Sequence, residues 1–293
     1  MSGQIIDGKL VSKKVRKSLK KRIENLKANG IVPGLVAVLI GDDPASATYV
    51  RSKGKACEKL GIYSETIRKD ASLTQQELIN LVYSLNKNPK IHGILVQSPV
   101  PSHIDELAVT LSIDPAKDVD GFHPYNVGMM LLGRGGLLPC TPYGIIKLME
   151  EYEIDPTGKE VVIVGRSNIV GKPLAAMLMQ KGKMANATVT VAHSRSKNLP
   201  DITKRADIII AATGRVNTIK ADMIKEGVVI IDVGINRVDD TTSEKGYEIV
   251  GDVDFESCQN IASYITPVPG GVGPMTIAML LSNTVQAAES TNS

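Results

Sequence analysis

Continuous apolar runs alternate with amphipathic patterns along most of the chain, and this alternation predicts strands separated by helices. In the first third the pattern predicts strands over 34–41, 63–70 and 91–99 and helices over 9–30, 46–61 and 73–88. Two of these strands are continuously apolar, whereas the one over 63–70 is more exposed. Buried β-branched runs joined by helices are typical of parallel strands covered on both faces, so we predict an α/β fold.

A second α/β series follows a segment of different character. Residues 117–142 are rich in Gly and Pro, which is typical of loops and short helices around a site or a domain junction. The second series predicts a helix over 143–153 and strands over 159–165, 187–193, 207–213 and 228–236. The last predicted helix, 273–290, is strongly apolar, and we expect it to pack back on the first domain.

Length and composition narrow the class of protein. The 293 residues suffice for two domains, and 43% hydrophobic with 22% charged residues is normal for a soluble globular protein. A net charge of +3, two Phe and no Trp argue against a nucleic-acid or membrane surface. No segment has the pattern of a signal peptide or a membrane span, and the three distant cysteines fit reduced thiols rather than a metal site. We therefore expect a cytoplasmic protein.

The second predicted helix, SATYVRSKGKACEKLG, has a lysine in an unexpected place. At roughly 100° per residue, Arg51, Lys55 and Lys59 fall together on one side of this helix. Lys53 instead falls within the apolar stripe, one turn beyond Tyr49. Two interpretations are open: a functional ammonium group, or a side chain that snorkels along an apolar face.

The second series begins with the pattern of a nucleotide-binding turn. The strand VVIVG leads into a turn with Gly165 and Ser167 and then, from Gly171, into a helix. In a βαβ unit this is where a helix N-terminus holds a dinucleotide pyrophosphate, which predicts a Rossmann-type domain. Because the glycine spacing departs from G-x-G-x-x-G, a tight structural turn is the alternative.

The end of the next strand bears on which dinucleotide is bound. NAD-binding folds usually place an Asp or Glu there for the ribose 2′-hydroxyl, but here His193, Ser194, Arg195 and Ser196 follow the strand. A cation and two hydroxyls suit a 2′-phosphate, and Arg166 in the glycine turn adds a second cation. NADP is therefore preferred over NAD, with solvated surface arginines as the alternative.

Glycine-containing loops follow the later strands. Gly214 and Gly234 allow the backbone to approach a nicotinamide ribose closely, although turn structure alone also explains them. The segment TPVPGGVGPMT, 266–276, contains three Gly and three Pro in eleven residues just before the last predicted helix, and Thr276 lies in the first turn of that helix. This loop either closes over a ligand between domains or terminates the sheet.

The first domain offers three polar candidates. Gln97 ends an apolar strand, where α/β sheets place ligands, or else it caps the strand end. Asp118 and Asp120 share a Gly-containing loop, but no further His or acid is spaced to complete a metal site. One of these carboxylates either accepts paired N–H donors from a planar heterocycle or, like many loop aspartates, caps a turn.

Taken together, these segments closely resemble the bifunctional methylenetetrahydrofolate dehydrogenase/cyclohydrolase family of the bacterial FolD type. The matching motifs occur in the family's order from Tyr49 to the last helix. They are YVRSKGKACEKLGI, GILVQSPVP, PAKDVDGFHPYNVG, PCTPYGII, VVIVGRSNIVGKP, ATVTVAHSRS, DVGINRV and ITPVPGGVGPMTIAMLL.

The resemblance implies two reactions on a folate substrate. NADP takes a hydride from 5,10-methylenetetrahydrofolate, and the resulting methenyl cation is hydrolysed to 10-formyltetrahydrofolate. It implies that Lys53 is the essential catalytic group, that Gln97 hydrogen-bonds it, that Tyr49 stacks on the folate and that Asp120 binds the pterin edge. We add Pro267 and Gly271 as substrate-binding residues. The predicted cofactor-binding residues are Gly165, Arg166, Ser167, Ser194, Arg195, Thr213, Gly214, Ile235 and Thr276.

The resemblance also implies an organisation and leaves alternatives. We expect a folate domain over 1–143 with 274–293, a Rossmann-type NADP domain over 144–273, a homodimer, and neither step to require a metal. A monofunctional NADP-dependent dehydrogenase is the first alternative function, and a non-catalytic NADP-binding sensor is the second.

Overall fold

The chain forms two compact units in a computed structural model, which describes residues 3–243 and 246–291. Among the described residues, the three-stranded unit contains 14–140 and 277–291, and the six-stranded unit contains 3–13 and those within 141–276. The strands are β1 (Gln4–Ile5), β2 (Gly34–Ile40), β3 (Tyr63–Lys69), β4 (Gly93–Val96), β5 (Glu160–Val164), β6 (Thr188–Ala192), β7 (Ile208–Ala211), β8 (Val229–Asp232), β9 (Asn236–Asp239), β10 (Tyr247–Val250) and β11 (Tyr264–Ile265). The helices are α1 (Gly8–Ala28), α2 (Pro44–Leu60), α3 (Gln75–Asn86), α4 (Glu106–Ser112), α5 (Pro124–Leu131), α6 (Cys140–Glu151), α7 (Gly171–Leu178), α8 (Leu199–Thr203), α9 (Phe255–Cys258) and α10 (Val272–Ser290).

The three-stranded unit is built on a parallel sheet in the order β3-β2-β4. All seven residues of the central strand β2 are buried, whereas six of the seven residues of the edge strand β3 are exposed. The helix α3 begins at Thr74 through a capping box with Glu77, and it contributes Leu78 and Val82 to the core. These observations confirm the predicted buried and exposed strands and the predicted start of α3.

The six-stranded unit has a parallel sheet in the order β1-β11-β8-β7-β5-β6. Its first strands along the series, β5 and β6, are neighbours, and the chain then returns to the other side of β5 to form β7. This reversal is the switch point at which open α/β sheets bind ligands outside the carboxyl ends of their strands. The predicted α/β fold with a Rossmann-type domain is confirmed.

The last helix packs on the three-stranded unit, as predicted. Asn283 donates two hydrogen bonds of 2.8 Å, to the carbonyl oxygens of Val119 and Leu138. Near the helix end, Arg22 of α1 forms a bidentate ion pair with Glu289. The buried apolar residues of α10 beyond residue 276, such as Leu280 and Val285, are core residues of this unit.

The structure differs from the predicted division of the chain in its first residues. Residues 3–13 cluster with the six-stranded unit because β1 pairs in parallel with β11. The sequence pattern does not predict this pairing, since each of the two strands is only two residues long. The antiparallel pair β9-β10 was also not predicted. The assignment of one domain to folate and the other to NADP stays a prediction. Among the described residues, we find no helix both long and apolar enough to cross a membrane.

Candidate active site

Lys53 lies in the buried face of α2. The helix begins after Asp43, whose carboxylate accepts the backbone N–H of Ser46 at 2.7 Å, and it ends at Gly61 in the left-handed conformation. Because that register turns Val50 and Lys53 inward, the Lys53 side chain is only 4% exposed. The apolar stripe therefore predicted the burial of this lysine correctly.

The Lys53 ammonium group is held between a side-chain amide and an aromatic ring. Its Nζ donates to Oε1 of Gln97 at 3.1 Å and lies 4.5 Å from the centroid of the Tyr49 ring. Gln97 follows β4 directly; its backbone N–H bonds to Val38, and its Nε2 donates to the carbonyl oxygen of Ser98. The sheet thus aims the amide oxygen at the lysine, and three of the predicted site residues come together.

The two acids of the loop between α4 and α5 have different environments. Asp118 is 2% exposed, and its carboxylate accepts the backbone N–H of His123 at 2.7 Å and the Nδ2–H of Asn126 at 2.9 Å. Asp118 therefore holds the loop together. Asp120 is partly buried and interacts electrostatically with Lys53, so it is the acid that belongs to the lysine's surroundings.

Burial shifts the pKa values of Lys53 and Asp120 toward neutrality. It lowers the pKa of Lys53, although Asp120 and the thiols of Cys140 and Cys57 oppose the shift. Burial also raises the pKa of Asp120 to about 6, against the effect of Lys53 and with the support of Asp118. Both groups can therefore exchange protons closer to neutral pH than exposed ones. Among the described residues, no group of three or more His, Cys, Asp or Glu side chains is placed to hold a metal ion.

The predicted cofactor residues other than Thr276 cluster at one edge of the six-stranded sheet. The strands β8, β7, β5 and β6 are consecutive neighbours and all parallel, so their carboxyl ends lie along the same edge. Each of these ends is followed by predicted residues, which are Gly165, Arg166 and Ser167 after β5, Ser194 and Arg195 after β6, Thr213 and Gly214 after β7, and Ile235 after β8.

The turn after β5 is packed so closely that it requires glycine. Gly165 has φ 142°, and a Cβ there would lie 2.1 Å from the carbonyl oxygen of Ala212. A Cβ on Gly171 would lie 2.2 Å from the carbonyl oxygen of Gly165. The Ser167 hydroxyl accepts the backbone N–H of Val170 at 3.1 Å, at the entry to α7. The structure thus places a helix N-terminus directly against this turn.

The turn after β6 presents the groups that suit a 2′-phosphate. It is closed by the backbone N–H of His193 on the Ser196 hydroxyl and that of Arg195 on His193 Nδ1. The side chains of Ser194 and Arg195 are exposed, as is that of Arg166 after the neighbouring strand. A hydroxyl with two cations and no carboxylate in the turn fits NADP.

The loop before α10 lines a cavity of about 210 Å³ in the six-stranded unit. Ile235, Pro267 and Gly271 all line it, so the structure brings these three predicted residues together. The loop closes on itself through a 2.8 Å hydrogen bond from the Gly271 N–H to the Pro267 carbonyl oxygen. Thr276 lies beyond the cavity lining, and its hydroxyl is 2.9 Å from that of Thr141.

Sequence reasoning missed two buried acids in the six-stranded unit. Asp232 at the end of β8 is 3% exposed, and Asp252 after β10 is fully buried. Their carboxylates accept backbone N–H groups from the loops after β7 and β8. The signal available in the sequence was a glycine near each acid, Gly234 and Gly251. A Cβ on Gly234 would strike the carboxylate of Asp252, and a Cβ on Gly251 would strike that of Asp232.

Comparison with known proteins agrees with this arrangement. The catalytic-domain model of tetrahydrofolate dehydrogenase/cyclohydrolase matches residues 6–120, and the NAD(P)-binding-domain model matches residues 139–292. The bifunctional protein FolD of Prosthecochloris aestuarii is 55% identical over 286 residues, with 97% of each chain covered.

Solved structures support the same relationship. The bifunctional FolD enzyme of Campylobacter jejuni aligns with a TM-score of 0.93 at 52% identity, covering 99% of this chain and 100% of that one. The Trypanosoma brucei dehydrogenase-cyclohydrolase, complexed with NADP cofactor and inhibitor, aligns with a TM-score of 0.94 at 37% identity, covering 100% and 99%.

Proposed function

The chain belongs to the tetrahydrofolate dehydrogenase/cyclohydrolase family, and we propose that its hydrolytic step depends on Lys53. The enzyme is bifunctional. It oxidises 5,10-methylenetetrahydrofolate with NADP to the 5,10-methenyl form and hydrolyses that product to 10-formyltetrahydrofolate. The alternatives of a monofunctional dehydrogenase and of a non-catalytic sensor have no support in these relatives.

The observation that carries the proposal is the buried Lys53 ammonium group held at 3.1 Å by Gln97. In hydrolysis, water loses a proton as its oxygen bonds to the methenyl carbon, and a ring nitrogen gains a proton when its bond to that carbon breaks. An amine whose pKa is lowered by burial can accept the first proton and supply the second. Gln97 orients the Lys53 amine, since its amide oxygen accepts a hydrogen bond from one N–H of the lysine.

The remaining substrate residues follow from the same surroundings. Asp120 suits the amino-pyrimidinone edge of a pterin, because a carboxylate accepts two parallel N–H donors. Tyr49, whose ring already packs on the lysine, offers a face on which the ring system stacks. Pro267 and Gly271 are proposed as further substrate contacts, supported by their place in a cavity wall.

The cofactor site is proposed at the carboxyl edge of the six-stranded sheet. NADP, when bound, supplies the hydride acceptor, so the protein contributes binding and orientation. Ser194, Arg195 and Arg166 would hold the 2′-phosphate, and the turn Gly165–Ser167 at the start of α7 would hold the pyrophosphate. Thr213, Gly214, Ile235 and Thr276 complete the proposed set.

We also propose that the protein acts as a homodimer in the cytoplasm and binds no nucleic acid. Family membership supports the assembly, as does the position of β6 at the edge of its sheet with Val191 37% exposed. Light scattering behind size-exclusion chromatography should give twice the 31.4 kDa chain mass. A mass of one chain at micromolar concentration would contradict the homodimer.

The test of the Lys53 role is a substitution series in one helix. Lys53→Met is expected to abolish the loss of methenyltetrahydrofolate absorbance in the absence of nucleotide. Lys55→Met and Lys59→Met are matched controls, because both lysines are exposed on the opposite face of α2 and should leave the rate nearly unchanged. If all three variants lose activity alike, the assignment to Lys53 is wrong.

A further inference from the structure

Asp252 lies at the meeting point of two loops that carry proposed cofactor residues. Its carboxylate accepts the backbone N–H groups of Thr213, Gly214 and Arg215, which follow β7. The Gly214 and Arg215 bonds are each 3.0 Å. It also accepts the Nδ2–H of Asn236 at 2.9 Å, from the segment that follows β8. One fully buried side chain therefore joins the ends of two neighbouring strands.

The chemistry of these bonds requires a carboxylate. An aspartate carboxylate offers about four acceptor positions and no donor, and four donors meet it here. A carboxamide has a single acceptor oxygen, so it would turn an NH₂ group toward two of the N–H donors. Asparagine at position 252 would therefore leave part of this network without acceptors, although its shape is nearly the same.

A second acid holds Asp252 in place. Asp232, the last residue of β8, accepts the backbone N–H groups of Gly234, Asp252 and Val253, each at 2.9 Å. Close approach is needed for this arrangement: a Cβ on Gly234 would lie 2.2 Å from Oδ1 of Asp252. The two acids thus connect the loops after β7, β8 and β10 into one hydrogen-bonded layer at the carboxyl edge of the sheet.

We propose that Asp252 is a positioning residue for the dinucleotide. It acts through the backbone it binds, holding Thr213 and Gly214 and, through Asn236, Ile235 at fixed separations on the edge of the sheet. The inference rests on the proposed assignment of those three residues to the cofactor. Each N–H of the loop points at the carboxylate, so the opposite face of the loop is the one presented to a ligand. At Gly214 that face is open, since a Cβ added there would have no neighbour within 4 Å.

Asp252→Asn tests this role, and Asp254→Asn is the matched control. Asp254 lies two residues along the same segment, but its carboxylate caps α9 through Ser257 instead of binding the cofactor loops. The readouts are the KM for NADP and kcat of the dehydrogenase, and the nucleotide-free hydrolysis of methenyltetrahydrofolate. Asp252→Asn is expected to raise the KM for NADP roughly tenfold to a hundredfold, with the hydrolysis rate within about twofold of wild type. Asp254→Asn should change neither.

The outcomes separate positioning from general stability. An unchanged KM for NADP in Asp252→Asn would overturn the proposal, as would a loss of both activities in proportion, which marks a structural role. Should Asp252→Asn fail to fold, Asn236→Ala removes one of the four donors, and an unchanged KM for NADP in that variant would overturn the proposal. If wild type turns over NADP and Asp252→Asn has the same KM for NADP, only the positioning role is refuted. If a variant with Thr213 and Gly214 both altered still binds NADP tightly, the cofactor assignment itself is refuted.

Discussion

Lys53 in the three-stranded unit and the two buried acids of the six-stranded unit are satisfied in opposite ways. In the three-stranded unit, Lys53 is 4% exposed and donates to a side-chain amide beside an aromatic ring. In the six-stranded unit, Asp232 and Asp252 are surrounded by backbone N–H groups from several loops. The lysine is a reactive group held by side chains, whereas the acids are fixed points to which the backbone is tied.

This difference separates chemistry from positioning. A buried amine whose pKa is lowered can gain and lose a proton during a reaction. A buried carboxylate that accepts three or four N–H bonds has at most one acceptor position left, and its role lies in the geometry that it imposes. The comparison therefore predicts that substitutions at the lysine change rate, and that substitutions at the acids change stability and ligand binding.

The largest expected effect is that of Lys53→Arg on hydrolysis. Arginine keeps the positive charge but does not exchange its proton near neutral pH, so the rate should fall by roughly 10²-fold or more. Lys55→Arg is the control on the exposed face of the same helix. The rate is measured as decay of methenyltetrahydrofolate without nucleotide. A Lys53→Arg enzyme within tenfold of wild type would show that charge, rather than proton transfer, is what the site needs.

Stability should respond in opposite directions at the two sites. Asp232→Ala leaves the N–H groups of Gly234, Asp252 and Val253 without their acceptor, which should lower the free energy of unfolding by roughly 3 kcal/mol. Lys53→Met removes a buried ammonium group and should raise the unfolding free energy by about 1 kcal/mol. Urea denaturation midpoints measure both. The contrast fails if the two variants shift the midpoint in the same direction.

Cofactor choice should depend on the turn after β6. Arg195→Ala removes an exposed cation suited to the 2′-phosphate, so the KM for NADP should rise roughly tenfold while that for NAD stays the same. Lys204→Ala removes an exposed cation elsewhere in the six-stranded unit and should change neither value. Dehydrogenase rates with each nucleotide provide the test, and an equal rise for NAD and NADP would rule out recognition of the phosphate by Arg195.

The smallest expected effect is on the pH dependence of folate binding. Burial raises the pKa of Asp120 to about 6, so this carboxyl is largely ionised at pH 7.5 and mostly protonated at pH 5.5. Since only the ionised form accepts two N–H bonds, the KM for methylenetetrahydrofolate should rise roughly fourfold over that interval. Asp120→Asn should have a higher KM that no longer varies with pH. A wild-type KM that is flat from pH 5.5 to 7.5 would contradict the role given to Asp120.

Much of the fold was accessible from periodicity because its strands and helices are long and strongly patterned. The buried strand β2, the helix α3 with its cap at Thr74 and the apolar α10 all lie where the pattern predicted them. The short strands β1 and β11 were missed, since two residues carry no period and their pairing joins distant parts of the chain.

The candidate site divides in the same way. Lys53 stood out because a cation in an apolar stripe violates the local pattern of its own helix. Asp232 and Asp252 did not, because an aspartate at a strand end or in a loop near a glycine is ordinary. Only their backbone partners, 38 residues from Asp252 and 21 residues from Asp232, distinguish them. Likewise, the local pattern did not distinguish Asp118 from Asp120, and only the resemblance singled out Asp120; in the structure, Asp118 is the acid bonded to His123 and Asn126.

The sequence by itself determined the alternation of strands and helices, the inward direction of Lys53 and the family to which its motifs belong. These follow from local rules, since helical and strand periods place side chains on faces whatever the rest of the chain does. Only the tertiary structure decided that the first described residues join the six-stranded unit and that two acids bind the loops of the sheet edge. Such contacts join segments far apart in the chain, and local periodicity carries no information about them.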